Sequence, residues 1–367
     1  MKIALLVPGG VDRSATVKVI PCLLWLIEHL AADGHEVHVF ASRHEMRPGS
    51  WPLLGASVHN AGRRPATLWM LRSILAEQRK APFDVIHAFW TSLGSIGAMA
   101  GRLTGVPMVL TLPGGDVVGL PDIGYGALLS RLGRFQLQMA ARSARQINTP
   151  SHFMRELAAR RGIDAAVVPL GVDLARWPVA PPRPRDVSTP VRLLHVGNLN
   201  RVKDQPTLLE AIARLRATGV RLELAIIGFD TLGGEIQRMA DRMGLPGAVR
   251  FLGQMTHAEL RPSFDWADLL VVTSRHEAGP LVMLEAAVAG VPTVGTRVGH
   301  LADHSPDAAL AVPVGDPASL CKAIRDLATD DARRLNIAAA AQAIATRCDA
   351  AFTARTFVEI YGRARSG

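Results

Sequence analysis

The chain has 367 residues, of which 49% are hydrophobic and 20% charged, and this composition excludes a disordered chain and predicts about two domains. No apolar run reaches the ~18 residues needed to span a bilayer, and the three cysteines have neither zinc-site nor disulfide spacing. The first apolar segment, Met1–Pro8, lacks the flanks of a signal peptide and reads as a strand, so we expect a cytoplasmic protein.

The net charge of +9 lies entirely in the first half of the chain. Residues up to Arg185 carry 21 Lys and Arg against 12 Asp and Glu, whereas the remainder carries 20 of each. Such asymmetry indicates an anionic partner for the first half: nucleic acid, a lipid surface or a phosphorylated acceptor. Aromatic residues make up only 5% and no nucleic-acid motif is present, so we expect no nucleic-acid partner.

Short apolar runs alternate with helical patterns through the first half. The predicted strands are Ile3–Val7, Val37–Phe40, Asp84–His87, Met108–Leu112 and Gln146–Asn148. The predicted helices include Val17–Ala32 and Thr67–Arg79. Alternation of this kind is typical of parallel strands joined by crossover helices, which is a doubly wound α/β domain.

The segment Trp177–Pro190 holds five prolines and is predicted to be a semi-rigid linker. The alternation then restarts, with strands at Arg192–Val196, Leu222–Ile227, Val249–Leu252, Leu269–Thr273, Thr293–Val294 and Leu310–Pro313. We therefore predict two Rossmann-like domains, residues 1–185 and 191–349, that face each other across a cleft. Residues 350–367 are predicted to form a terminal helix that packs back on the first domain.

Two cations follow a glycine turn at the start of the second domain. The strand ends at Val196, Gly197 permits a tight turn, and Arg201 and Lys203 precede a helix that opens near Pro206. Cations beside a helix N-terminus suit a diphosphate, although two solvated loop cations explain the pattern equally well. The pattern is neither a P-loop nor a G-x-G-x-x-G turn.

Two glutamates lie eight positions apart in the segment Thr273–Thr296. Glu277 falls in a polar loop, and Glu285 falls in an apolar helix, where a carboxylate must face water or accept hydrogen bonds. Gly279 allows a close approach of the backbone to a ligand. Taken alone, Glu285 is better explained as a surface residue of the helix.

Together the two segments resemble the family-4 glycosyltransferases, which are retaining enzymes of GT-B architecture. The resemblance covers most of the chain and implies transfer of a sugar from a nucleoside diphosphate sugar to an acceptor hydroxyl. It implies that Arg201 and Lys203 contact the donor diphosphate. It also implies that Glu277 contacts the donor sugar and that Glu285 contacts the ribose.

The same resemblance implies further contacts to the donor and no cofactor. The implied donor-binding residues are Gly10, Gly197, Gly228, Gly253, Gly279, Pro280 and Leu281. Val249–Gln254 is similar to the turn that contacts the base. The chain lacks the Asp-x-Asp motif of metal-dependent glycosyltransferases, so we expect no metal, with the two cations in its place.

The acceptor side departs from the family pattern. Many members have a histidine before the glycine of the stretch that Val109–Val117 resembles, and this chain has Pro113 there. Asp116 remains as an acceptor-side candidate. His87 is a second candidate, although a satisfied core histidine is the favoured explanation of that residue.

Gly124–Arg145 is predicted to form a helix with a basic stripe. Four arginines fall within an arc of about 80° and are flanked by apolar side chains. The arginines are Arg131, Arg134, Arg142 and Arg145, and the apolar residues are Leu128, Leu132, Phe135 and Met139. This pattern suits anionic lipid headgroups, and a solvated helix face explains it about as well.

We therefore expect a glycosyltransferase of glycolipid or surface polysaccharide synthesis, peripheral on the inner face of a membrane. Its acceptor would be a saccharide or a lipid-linked saccharide. Two alternatives remain open: a nucleotide-sugar-binding accessory protein with weak catalysis, which Pro113 favours, and a sugar-nucleotide epimerase or hydrolase on the same fold.

Overall fold

A computed structural model describes residues 1–42, 44–62 and 65–366 and divides the chain into two units. Unit 1 comprises Met1–Asp173 together with the C-terminal segment that begins at Cys348. Unit 2 comprises Leu174–Arg347. None of the helices within the described ranges has the length and hydrophobicity of a membrane span.

The sheet of unit 1 has eight strands in the order β3-β4-β2-β1-β5-β6-β7-β8. They are β1 Lys2–Val7, β2 Glu36–Ala41, β3 Gly49–Leu53, β4 Ala56–Asn60, β5 Val85–Phe89, β6 Met108–Thr111, β7 Gln146–Thr149 and β8 Ala166–Val167. All neighbours are parallel except β3, which is antiparallel to β4. The central strands are buried on both faces, as parallel sheets covered by helices require.

The sheet of unit 2 has six parallel strands in the order β11-β10-β9-β12-β13-β14. They are β9 Val191–Val196, β10 Leu222–Ile227, β11 Val249–Gly253, β12 Leu269–Val272, β13 Thr293–Thr296 and β14 Leu310–Val312. Counted from β9, this order is 3-2-1-4-5-6, the arrangement of a dinucleotide-binding fold. The predicted pair of doubly wound domains is therefore confirmed.

Helices cover the faces of both sheets. In chain order the α-helices are α1 Pro21–Ala32, α2 Ala66–Lys80, α3 Thr91–Thr104, α4 Arg131–Ser143, α5 His152–Ala159, α6 Gln205–Ala217, α7 Glu235–Arg242, α8 His257–Trp266, α9 Leu281–Val288, α10 Gly299–His304, α11 Pro317–Thr329, α12 Asp331–Arg347 and α13 Ala350–Ser366. Three short 3₁₀ turns occupy Gly115–Val117, Pro121–Ile123 and Ala127–Leu129.

Two predicted helices begin later than the sequence pattern suggests. Helix α1 starts at Pro21, because Lys18 has a positive φ of 51° and proline suits the first helical position. Helix α4 starts at Arg131, where the Ser130 side chain accepts a hydrogen bond from the Gly133 amide. Between residues 124 and 130 the chain forms only the short 3₁₀ turn Ala127–Leu129, which Gly126 precedes with φ 108°.

The proline-rich segment is packed on unit 2 and does not act as a free linker. Trp177 is 1% exposed, and its Nε1 donates to the carbonyl of Glu285 at 2.9 Å. The Ala180 amide donates to the carbonyl of Val288, also at 2.9 Å. These contacts explain why the boundary between the units falls at Asp173 and not in the predicted range 185–191.

The C-terminal helix α13 lies against the sheet of unit 1 and against α1. Its Phe357 and Tyr361 are fully buried in the core of that unit. Near its start, the Thr353 hydroxyl accepts a hydrogen bond from the Gly171 amide at 3.0 Å. The helix therefore completes the core of unit 1, although it follows unit 2 in the chain.

Candidate functional site

The strand order of unit 2 creates a crevice at one edge of its sheet. The order reverses between β9 and β12, so the loops after these two strands leave in opposite directions. Ligands of doubly wound sheets bind outside the carboxyl ends of the strands at such a switch point. The two loops are residues 197–204 and 273–280. They contain most of the side chains predicted to bind the donor.

Lys203 and Glu277 meet at this switch point. The Lys203 Nζ lies 2.5 Å from the Glu277 Oε1, and the Ser274 hydroxyl donates to the same oxygen at 2.6 Å. The two charged side chains are only 23% and 15% exposed. Residues 74 positions apart in the sequence therefore form one partly desolvated ion pair.

The Glu277 carboxylate is ionised in this setting. Burial raises its pKa, but the charge of Lys203 and the hydrogen bonds from Lys203 and Ser274 outweigh burial. The net result is a pKa below the usual range of a glutamate. The crevice thus presents an ammonium group and a carboxylate side by side, which can bind a phosphate oxygen and a sugar hydroxyl respectively.

Hydrogen bonds between the two loops hold Lys203 in place. Its carbonyl accepts from the Thr273 hydroxyl at 2.8 Å, and its amide donates to the Asn200 side chain at 3.0 Å. The Arg275 amide donates to the Val202 carbonyl at 2.7 Å. These hydrogen bonds connect the two loops next to the ion pair.

Arg201 points elsewhere. Its side chain is 61% exposed, and its guanidinium lies 3.6 Å from the carboxylate of Glu235 on α7. The sequence predicted that Arg201 and Lys203 act as a pair, and the structure gives each a different acidic partner. Of the two cations, Lys203 is the one that lies beside Glu277.

Three of the predicted glycines lie together at the carboxyl ends of β9, β10 and β11. The Gly228 amide donates to the Gly253 carbonyl at 2.8 Å, and the Gly197 amide donates to the Ile227 carbonyl at 2.8 Å. A Cβ on Gly228 would lie 2.1 Å from the Gly197 oxygen, so no side chain fits there. The three strand ends therefore approach one another through their backbones, and the Gly228 position requires glycine.

Glu285 is a buried residue of α9 and not a surface residue of the helix. Its Oε1 accepts from the His257 Nε2 at 2.8 Å. The His257 ring packs against Trp177 at an interplanar angle of 39°, with centroids 4.6 Å apart, and the Trp177 Nε1 donates to the Glu285 carbonyl. The carboxylate therefore has one fixed polar partner and a defined orientation.

Sequence reasoning missed Ser274, His257 and Trp177. A signal for His257 was available, because Thr256 and Glu259 form a capping box that places His257 at the first position of α8. Trp177 was assigned to the linker. Gly279 and Pro280 lie in the loop after Glu277, and Leu281 is the first residue of α9.

In unit 1, the predicted residues Gly10 and Asp116 have clear structural roles. Gly10 has φ 77°, and a Cβ there would lie 2.5 Å from the Ile20 Cγ1. Asp116 is buried, and its Oδ1 accepts from the amide of Thr91 at the start of α3 at 2.8 Å, whereas no described residue forms a hydrogen bond with its Oδ2. Burial raises the pKa of Asp116 to about 6.

His87 is a core residue, which corrects its candidacy for the acceptor side. It is fully buried, with Nδ1 2.7 Å from the Tyr361 hydroxyl and Nε2 2.7 Å from the Thr111 hydroxyl. Burial lowers the pKa of His87 to about 3, so the ring is neutral. Both nitrogens are occupied within unit 1, and neither is left for an acceptor.

Across the described ranges, no group of three or more His, Cys, Asp or Glu side chains is arranged to hold a metal ion. The expectation that the chain needs no metal remains a prediction.

Two family models match the chain, one for each unit. The model described as Glycosyl transferase 4-like domain matches residues 19–171, and Glycosyl transferases group 1 matches residues 190–330. Among similar proteins, a glycogen synthase of Mycobacterium tuberculosis is 29% identical over 344 residues, covering 92% of this chain and 80% of the relative. A D-inositol 3-phosphate glycosyltransferase of Arthrobacter sp. is 30% identical over 307 residues, covering 75% and 73%.

Solved structures agree with the fold. Sucrose-phosphate synthase from Thermosynechococcus elongatus has a TM-score of 0.84 at 20% identity and covers 99% of this chain and 98% of its own. Anabaena HepE in complex with UDP-glucose has a TM-score of 0.76 at 20% identity and covers 99% of both chains. At these identities the likeness concerns the fold alone.

Proposed function

This chain belongs to the family-4 (group 1) glycosyltransferases of GT-B type, and from that premise we propose that it transfers a sugar from a nucleoside diphosphate sugar to an acceptor hydroxyl with retention of anomeric configuration. One observation carries the proposal: Lys203 and Glu277 form an ion pair at the switch point of unit 2. A cation and a carboxylate at that position match the two ends of an activated sugar, the diphosphate and the hydroxyls.

Lys203 and Arg201 would stabilise the leaving diphosphate. When the anomeric bond breaks, its electron pair stays on the phosphate oxygen, and negative charge develops there. The backbone of Lys203 is held by Asn200 and Thr273, so its ammonium needs little reorganisation to meet that charge. Arg201 is exposed on the same loop and would reach the diphosphate from the solvent side. The two side-chain cations would neutralise the leaving diphosphate, which is the task that a metal ion usually performs. We therefore propose that the reaction is independent of metal.

Glu277 and Glu285 would orient the donor. Glu277, ionised and held by Ser274, would accept hydrogen bonds from sugar hydroxyls once the ammonium of Lys203 contacts phosphate. Glu285, held by His257, would accept from the ribose hydroxyls. The backbone at Gly197, Gly228 and Gly253 would lie against the base. The backbone of Gly279–Leu281 would meet the sugar and phosphate.

We assign no protein nucleophile. The acceptor oxygen would attack the anomeric carbon on the face that the diphosphate leaves, and the acceptor proton would pass to a departing phosphate oxygen. The bond from the anomeric carbon to the acceptor oxygen replaces its bond to the phosphate oxygen, so the step needs no further reactant. The negative charge collected on the leaving group is what Lys203 neutralises.

A saccharide or lipid-linked saccharide is the proposed acceptor, in glycolipid or surface polysaccharide synthesis on the cytoplasmic face of a membrane. The support for it is the charge of the first half of the chain, since all of the net +9 lies before residue 186. Two relatives are named for glycogen and for D-inositol 3-phosphate, so glucans and phosphorylated polyols belong in the acceptor panel.

The proposal is tested by donor binding followed by transfer. UDP and UDP-glucose, which neighbours of this fold hold, are the first probes, followed by the other nucleoside diphosphates and their sugars. We expect a bound nucleoside diphosphate to raise the melting temperature, and Lys203→Ala and Glu285→Ala to lose transfer. The exposed Lys322→Ala on α11 is the matched control and should keep full activity. Wild-type transfer in both site variants would rule out the assignment.

A further inference from the structure

The surface of helix α4 in unit 1 has an exposed apolar stripe. Its inner face is buried and consists of Gly133, Leu137 and Ala140. On the outer side, Leu132 is 64% exposed and Phe135 is 60% exposed. Two large apolar side chains three positions apart lie on neighbouring parts of a helix face. Exposed apolar side chains that cluster in this way mark a binding surface more often than a solvated one.

A basic stripe runs beside the apolar one. Arg131, Arg134 and Arg142 are exposed, and at about 100° per residue they occupy the arc next to Leu132 and Phe135. Helix α4 contains no acidic residue. Within the part of the chain that the structure describes, none of these three guanidinium groups forms an ion pair with a carboxylate. Their charge is therefore available to an anionic partner.

A pocket of about 660 Å³ opens along the same helix, and two of these arginines contribute to its lining. Its wall combines aliphatic side chains with three guanidinium groups, from Leu128, Leu137, Ile163, Arg134, Arg142 and Arg161. Arg134 and Arg142 thus belong both to the basic stripe and to the rim of the pocket. A mixed lining of this kind suits an anionic amphiphile, whose phosphate lies at the rim and whose chain lies against the aliphatic wall.

We propose that this α4 surface, defined by Arg131, Leu132, Arg134, Phe135 and Arg142, docks on an anionic phospholipid bilayer. Leu132 and Phe135 enter the headgroup and acyl boundary, the arginines contact lipid phosphates, and one lipid headgroup occupies the pocket. A narrow apolar stripe bordered by arginines is the arrangement of an interfacial helix, whereas a protein partner favours a broader, flatter apolar patch. The purpose of this docking rests on the proposed function. The docking itself is independent of it, since vesicle binding requires neither donor nor turnover.

Vesicle co-sedimentation of the full chain tests this docking. The probes are phosphatidylcholine vesicles with and without about one third phosphatidylserine, at low and high salt. We expect binding to the anionic vesicles at low salt and release at high salt. Arg131→Gln/Arg142→Gln should weaken binding roughly thirtyfold, because each interfacial arginine contributes about fivefold.

Two further double variants separate the contributions. Leu132→Ser/Phe135→Ser keeps the charge and should weaken binding roughly tenfold through lost apolar insertion. Arg242→Gln/Arg333→Gln removes the same charge from exposed helices of unit 2 and should bind vesicles like the wild type. Unchanged melting temperatures show that each variant is folded.

The inference is overturned if the wild type fails to sediment with anionic vesicles at low salt. It is also overturned if the unit 2 control loses as much binding as the α4 arginine pair, since net charge alone would then explain the result. Nucleoside diphosphate binding, measured in the same variants, keeps the two proposals apart. A chain that binds vesicles but no nucleotide retains the docking and loses the transferase function.

Discussion

Lys203→Ala removes the ammonium that is paired with the Glu277 carboxylate, a group largely withdrawn from water. In the wild type, the ammonium lies 2.5 Å from Glu277, and Ser274 donates to the same oxygen. Breaking a buried ion pair by removing one partner costs about 3–5 kcal/mol. Since both side chains keep some exposure, we expect a loss of about 2 kcal/mol in the free energy of unfolding, measured by urea denaturation.

A matched double variant separates stability from function. Lys203→Ala/Glu277→Gln removes the uncompensated charge, and the glutamine amide still accepts from Ser274, so most of the lost stability should return. Affinity for UDP should not return, because the cation for the diphosphate is still missing. A charge-assisted hydrogen bond contributes about 1.5–3 kcal/mol, so calorimetry should show UDP binding weakened roughly 10- to 150-fold.

The same pair predicts a sign for the pH dependence of stability. The pKa of Glu277 is lowered in the folded chain, so its contribution is present above the pKa of an unfolded glutamate, about 4.3, and is lost as the pH falls below it. The free energy of unfolding of Lys203→Ala should not show this decline at acidic pH. Wild-type affinity of the double variant for UDP would refute the reasoning, as would identical acid-side declines in the wild type and Lys203→Ala.

Three further predictions concern other residues. His257→Ala should weaken nucleotide binding about tenfold by calorimetry and His257→Gln less, because only the glutamine still donates to Glu285; equal losses would contradict this. Gly228→Ala should cost about 2–3 kcal/mol in urea denaturation, since its Cβ would lie 2.1 Å from a carbonyl oxygen, whereas the unobstructed Gly362→Ala should not destabilise. The raised pKa of Asp116, about 6, predicts that wild-type stability falls as the pH rises from about 4 to about 6, by roughly 2–3 kcal/mol, and that Asp116→Asn shows no such fall.

The sequence was sufficient to predict most of the strands because each of them is a short apolar run between turn residues. The hairpin of β3 and β4 was missed. Its turn places Leu54 and Gly55 at φ 48° and 81°, and leucine is rare in that conformation. Its strands contain Pro52 and exposed serines, which weaken the alternating pattern. An edge hairpin of this kind is held by its neighbours more than by its own sequence.

The motif residues of the site were predictable, and their partners were not. Lys203 and Glu277 belong to recognisable stretches, but their ion pair depends on β9 and β12 being neighbours in the sheet. The separation of Arg201 from that pair depends on Glu235, which no motif marks. Trp177 was read as part of a linker because prolines surround it, whereas its burial against His257 depends on tertiary packing.

The central claim is that the loops after β9 and β12 form the binding site for an activated sugar's diphosphate. Hydrogen–deuterium exchange of the wild-type chain, with and without saturating nucleoside diphosphate, tests it most directly. We predict that protection is strongest in residues 198–204 and 273–280 and is lost in Lys203→Ala at the same nucleotide concentration. Protection confined to other parts of the chain, or equal protection in the variant, would contradict the account.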